Sequence, residues 1–366
     1  MDKGWKKVED EDARTLIDLI EDMNWPKLRT AVHERQEELK EVSGLHGYDW
    51  TILHFLCAVP PVPNDIFESV VELYPEATRV RGKKWGQTPL HVLCRNSQKS
   101  VRKVQIILKH MEPEDLLIGT NIGSTALHCA CASHAWIPVL QELIQANPKI
   151  VLVATHDQHT ALSALFQSHL QTIQGHLQVV RILRGETVEE NHFTKFWQKV
   201  VLMATTAFKF SPIYNPDMEP NLEKSGLHGL QLLRAPLQLQ QVAIKLHPEW
   251  VSVADSAGNY PLHNILIQKP FRIKDVHLIR DLATAYPEAA SKRNAKGEEP
   301  IFIALRGQMA WHAGVEALVK AQPEILSSMD SETGLYPFLL AASLDGEVAV
   351  ENTYHLLCAN PHLAKI

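Results

Sequence analysis

A four-residue phrase recurs along the chain at a fixed interval. Thr51-Ile-Leu-His54, Thr88-Pro-Leu-His91 and Thr125-Ala-Leu-His128 each stand 37 residues after the last, and Tyr260-Pro-Leu-His263 repeats the phrase in the second half. A period of this length marks a stack of small supersecondary units, none of which can bury its apolar face alone. Such a stack offers an extended surface rather than one catalytic pocket.

With the period in hand, weaker copies come into view. Thr160-Ala-Leu-Ser163, Ser225-Gly-Leu-His228, Glu299-Pro-Ile-Phe302 and Tyr336-Pro-Phe-Leu339 bring the total to eight, and one gap, the 65 residues from Thr160 to Ser225, breaks the rhythm. A second marker follows seven of the eight phrases: a proline that closes an apolar segment, at Pro75, Pro113, Pro148, Pro248, Pro287, Pro323 and Pro361. Proline cannot continue a helix, so each one reads as a helix stop. The segments before the prolines carry helical periodicity, as in Ile66, Val70, Val71 and Leu73, or Ile137, Leu140, Leu143 and Ile144. Asp255-Ser-Ala-Gly-Asn259 and Asn294-Ala-Lys-Gly297 read as turns. Each unit is therefore expected to be a short helix, a loop, a longer helix and an extended turn.

Residues 45–366 on this reading resemble the ankyrin repeat, whose motif centres on Thr-Pro-Leu-His at the start of the first helix. The Tyr-Pro-Glu-Ala endings at Tyr74 and Tyr286, and the cysteines six residues into three phrases (Cys57, Cys94 and Cys131), are similar to long-period ankyrin-like families abundant in diatoms. The resemblance implies an all-α ankyrin-like helical solenoid with repeats of 35–39 residues. It also gives the phrase a structural role for Thr51, His54, Thr88, His91, Thr125, His128, Thr160, His228 and His263. Phe302 and Leu339 replace the histidine in the last two units, and apolar packing is expected to stand in for it.

The expected organisation is a helical cap over 1–44, repeats 1–4 over 45–184, an inserted long helix and proline-containing loop over 185–224, and repeats 5–8 over 225–366. In the cap, Ala13 to Met23 and Trp25 to Glu41 read as two helices, with Leu16, Ile17, Leu19 and Ile20 facing inward. The insertion reads as one amphipathic helix from Glu189 to Phe210, with Phe193, Phe196, Trp197, Val200, Val201 and Ala204 on one side. Burial against neighbouring helices is the expected fate of that stripe. Pro361 to Ile366 reads as the start of a further inter-repeat turn.

Composition narrows the function. Hydrophobic residues make up 45% of the chain and the formal net charge is −6, which gives no global attraction to nucleic acid. Five cysteines in 366 residues argue against a disulfide scaffold. With no signal peptide and no long apolar run, a soluble monomer in the cytoplasm or nucleus is expected. The run His128-Cys129-Ala-Cys131-Ala-Ser-His134 carries zinc-type ligands, but His128 and Cys131 fall on repeat slots, and packing is the reading preferred. No nucleotide loop, nucleophile elbow or metalloprotease helix occurs. The expectation is therefore a protein that is not an enzyme and takes no cofactor and no metal.

Local charge supplies the candidate surface. From Arg79 to Lys109 there are nine basic residues and no acidic one. Arg81, Lys83, Lys84 and Trp85 occupy the turn before the second phrase, and Arg95 and Lys99 follow its first helix. An aromatic beside arginines is a common interface hot spot. By the ankyrin resemblance, Arg81, Lys83, Lys84, Trp85 and Arg95 are expected to share one edge of the concave face, with His134 and Trp136 beside Arg95. A protein partner with an acidic segment is the expected ligand. The alternative is a nucleic-acid-associated regulatory role for the belt over 79–109, which the acidic net charge disfavours.

Overall fold

The computed structural model describes residues 15–40, 49–59, 61–96, 100–186, 190–211, 225–268 and 273–362. It divides into two compact units, Met1–Gln171 and Thr172–Ile366. Among the described residues every regular element is helical, and no helix is long and apolar enough to cross a membrane.

In the first unit α1 (Leu16–Glu21) and α2 (Trp25–Glu34) are followed by α3 (Ile52–Ala58), α4 (Asn64–Leu73), α5 (Pro89–Arg95), α6 (Val101–Leu108), α7 (Ala126–Ala132), α8 (Ile137–Ala146) and α9 (Ala161–Gln171). The short helices α1, α3, α5, α7 and α9 pack in one row, and α2, α4, α6 and α8 in a second. The cap thus occupies the place of a repeat. Its second helix ends at Glu34, earlier than the sequence suggested, and the chain continues as a 3-10 helix over Gln36–Lys40. Leu16, Leu19 and Ile20 are buried, whereas Ile17 is only half-buried.

Three of the phrases start their helices in the same way. Thr51, Thr88 and Thr125 are N-cap residues in extended conformation, and the histidine three residues on accepts the N-cap amide on Nδ1 at 3.2 Å. This is a capping box with imidazole in place of the usual Glu or Gln, and it satisfies a donor that the helix leaves orphaned. Pro89 sits at the first helical turn, where no amide donor is missed.

The prolines do more than stop helices. Pro75, Pro113, Pro148, Pro248, Pro287 and Pro323 each open a five-residue 3-10 helix, with one residue between it and the preceding α-helix in every case but Pro113, which follows α6 after four residues. The expected unit of helix, loop, helix and turn therefore gains a third helical piece. Its fixed φ suits proline to a first helical position, which the sequence reading of a plain stop omitted.

The second unit contains α10 (Ile173–Leu183), α11 (Glu190–Lys209), α12 (Gly226–Leu232), α13 (Leu237–Leu246), α14 (Pro261–Ile267), α15 (Ile273–Ala285), α16 (Pro300–Arg306), α17 (Val315–Ala321), α18 (Pro337–Ala342) and α19 (Glu347–Ala359). Again two rows form: α11, α12, α14, α16 and α18 in one, and α10, α13, α15 and α17 in the other. The division between units falls inside the fourth repeat of the sequence reading, because α10 packs against α13 while α11 takes the short-helix position beside α12. Phe193, Phe196, Val200 and Ala204 of α11 are buried, joined by Met203, Ala207 and Phe208, while Trp197 and Val201 are half-buried. Phe208 stacks on His228 with ring centroids 5.4 Å apart. Gly229 permits the approach, since a Cβ there would stand 1.8 Å from the Ala204 carbonyl oxygen.

Candidate partner-binding surface

The phrase histidines join successive units. Each Nε2 donates to a backbone carbonyl of the next turn: His54 to Gln87 at 3.1 Å, His91 to Ser124 at 3.0 Å and His128 to His159 at 3.1 Å. In the second unit His228 reaches Val253 at 2.9 Å and His263 reaches Lys292 at 3.1 Å. A ring that accepts on Nδ1 and donates from Nε2 is neutral, and its tautomer is set by those partners. Burial pushes His54 and His91 down to about 4, against the opposing pull of the carbonyl bond, and lowers His128, His228 and His263 for the same reason. These rings therefore hold the stack together and stay uncharged.

Two replacements behave differently. Phe302 is buried, as expected of an apolar substitute, but Leu339 is 40% exposed, which corrects the expectation for the eighth unit. No described unit lies beyond it to supply a covering turn. Thr160 faces Ser163 at 3.5 Å, and the serine is too short to reach across as the ring does.

The cysteines of the repeat are buried and form no disulfide. Burial pushes the Cys57 and Cys94 thiols far up and Cys129 to about 11, so none is a thiolate at neutral pH. His128, the first residue of the zinc-like run, is held by Thr125 and His159, and His134 faces Ser168, whose Oγ lies 2.9 Å from Nε2.

The turns stack by their own hydrogen bonds. Asn121 N–H donates to the Trp85 carbonyl at 3.0 Å, His156 N–H to Ile122 at 3.1 Å, and Ala295 N–H to Ala257 at 2.9 Å. Gly86 (φ +64°) makes the tip possible, since a Cβ there would meet Asn121 Oδ1 at 2.3 Å. The backbone of the Trp85 tip is thus fixed, while its indole remains 51% exposed, with Lys84 Nζ 5.8 Å from the ring centroid.

The basic belt is largely engaged within the molecule. Arg79 bonds Asp115 at 2.6 Å, Lys83 lies 3.2 Å from Asp49, and Arg102 lies 3.1 Å from Glu68. Arg81 donates to the carbonyls of Gly86 (3.1 Å) and Gly119 (2.9 Å), stitching two turns. Lys103 is buried over the Phe67 ring, and burial lowers its ammonium below the usual lysine range. Lys99 lies outside the described residues.

The remaining candidates fall in two groups rather than on one edge. Lys83, Lys84 and Trp85 precede α5, and Arg95 ends it; seven helical residues place about 10 Å between them. Around Arg95, the ends of the short helices are tied to the next unit: Asn96 bonds the Cys57 and Ala58 carbonyls, Ser133 that of Cys94 and Ser168 that of Ala132. His134, in left-handed backbone (φ 57°), and Trp136, 46% exposed, follow Ser133 directly. Trp50, by contrast, is a packing residue, stacked on His54 at 5.8 Å and buried.

The family profile described as ankyrin repeats (3 copies) matches residues 53–154. No curated protein matches the chain. Among solved structures, the ankyrin repeat domain of Bcl-3, described as a unique member of the IkappaB protein family, aligns over 84% of this chain and 99% of its own, at 16% identity and a TM-score of 0.28. An ankyrin repeat protein from Leishmania major aligns over 86% of this chain and 97% of its own, at 10% identity and a TM-score of 0.36. Over residues 53–154, where capping phrase, helix pair and stacked turn recur three times, the chain is similar to the ankyrin repeat family.

Proposed function

We propose that the chain is a non-enzymatic scaffold that binds a partner protein through the first unit, at the turn tips and short-helix ends carrying Lys84, Trp85, Arg95, His134 and Trp136. The observation that carries the reading is the Trp85 tip. An indole half open to water stands on a backbone held by Asn121 and shaped by Gly86, so its ordering is largely complete before binding. Trp136, one unit further along, supplies a second exposed aromatic.

An acidic segment is the proposed complement, with Lys84 and Arg95 as its contacts. Arg81 and Lys83 belong to the tip but serve first to hold it. Engagement of Arg79, Lys83 and Arg102 by carboxylates removes charge that a phosphate backbone would need, which favours a protein partner over nucleic acid.

Affinity capture from a cell extract, comparing wild type with a Trp85→Ala/Trp136→Ala variant, tests the reading. Proteins retained by the first and lost by the second are the expected result. Identical sets would place the binding surface elsewhere.

A further inference from the structure

The end of the second unit holds a cluster that neither the repeat nor the proposed partner surface accounts for. His312 lies on the 3-10 helix Trp311–Ala313, and Glu351 and His355 lie one helical turn apart on α19. One ligand atom from each side chain can be chosen so that all three lie within 4.8 Å of one another. A tetrahedral zinc ion with ligands near 2.0–2.1 Å requires neighbouring ligand atoms about 3.4 Å apart, so a modest rotation of side chains closes the set.

The surroundings orient these residues. The His355 ring lies flat on Trp311, centroids 4.9 Å apart and planes 12° apart. Asn352, buried between Glu351 and His355 in sequence, donates to the Met309 carbonyl at 2.8 Å, which fixes α19 against the loop that carries His312. Glu316 Oε2 lies 3.3 Å from His312 Nδ1, leaving Nε2 as the nitrogen for a metal. A carboxylate behind a ligating imidazole is the usual outer partner of a zinc-bound histidine, because it fixes tautomer and ring orientation.

We propose that His312, Glu351 and His355 form a zinc site, with Glu316 as its outer carboxylate. Two imidazoles and one carboxylate suit zinc and leave a fourth position for water or another donor. His312 belongs to the seventh unit and the other two to the eighth, so the ion clips the last helix pair to its neighbour.

Titration of the untagged chain with zinc chloride, by calorimetry and by thermal unfolding, tests the site. His312→Ala and Glu351→Gln are the informative variants, since the His312 side chain is 68% exposed, its ring touching His355 edge-on at 5.7 Å, and glutamine keeps the size of Glu351. The expected result is one zinc ion whose affinity falls roughly tenfold or more in each variant, together with a rise in the wild-type melting temperature that both variants lose. Absence of zinc binding by the wild-type chain overturns the proposal. So does binding with the same affinity and the same thermal shift in wild type and both variants; circular dichroism confirms that the variants are folded.

Discussion

His91 Nε2 lies 3.0 Å from the carbonyl oxygen of Ser124, one unit further along, while its Nδ1 accepts the amide of Thr88. One neutral ring thus caps its own helix and ties down the next turn. His54 has the same two bonds, and burial pushes both rings down to about 4. In the unfolded chain such a ring takes up its proton near pH 6.5. Between these values the unfolded state binds more protons, so stability falls as pH drops through that window and levels off above it. At pH 4 each of the two rings costs about 3 kcal/mol relative to pH 7. Urea unfolding midpoints at pH 7.5, 5.5 and 4.5 should decline steadily; a constant midpoint contradicts the assignment.

Gly86→Ala should loosen the Trp85 tip. The substitution places a Cβ at φ +64° and against Asn121 Oδ1, and is expected to destabilise by about 1–3 kcal/mol. Faster hydrogen exchange at the Asn121 amide, which bonds the Trp85 carbonyl, is the direct measurement.

Reversing charge in the belt should separate holding from contacting residues. Arg81→Glu removes the bonds to the Gly86 and Gly119 carbonyls and should lower stability by about 1–2 kcal/mol. Lys84→Glu and Arg95→Glu should leave stability within about 1 kcal/mol of wild type while weakening partner binding and its salt dependence. Chemical denaturation beside a salt series of binding measurements distinguishes the two classes. Equal loss of stability in all three variants would contradict the division.

Thiol reactivity offers a test of burial. Cys57, Cys94 and Cys131 are buried, Cys129 is pushed up to about 11, and Cys358 is exposed. One thiol of the five is expected to react rapidly with a disulfide reagent near neutral pH, and the other four only after denaturation. Two or more fast thiols would show that the short-helix row is open.

Gly229→Ala should displace α11 from α12, since the new Cβ would collide with the Ala204 carbonyl. A cost of about 2 kcal/mol or more is expected from forced separation of packed helices, with proteolytic cleavage appearing between 190 and 211. Unchanged resistance to protease would contradict the packing described.

Much of the fold was legible because the repeat carries its own local chemistry. Thr-Pro-Leu-His encodes an N-cap, a first-turn proline, an inward leucine and a capping imidazole within four residues. What the period could not show was the partner of each ring, a carbonyl 33 residues away for both His54 and His91. The division at Gln171 was also hidden, because the place of α11 depends on long-range packing rather than on its own stripe. Gly226 and Gly229, two glycines in one seven-residue helix, were the available hint.

The candidate surface was legible as charge and not as pairing. Arg79 and Asp115 are 36 residues apart, and Arg102 and Glu68 are 34, so the carboxylates lie outside the basic run but one period away. Spacing at the repeat interval, which also joins Arg29 to Asp65, was the signal that would have found them. His312, Glu351 and His355 escaped notice because they come from two units; only the four-residue step from Glu351 to His355 marks them in sequence.

The carbonyls that receive the five rings belong to Gln87, Ser124, His159, Val253 and Lys292, five different residue types. Every amino acid carries that oxygen. A unit can therefore be exchanged, duplicated or rewritten on its outer face without the preceding unit losing its anchorage, and recognition can diversify while the joinery stays generic.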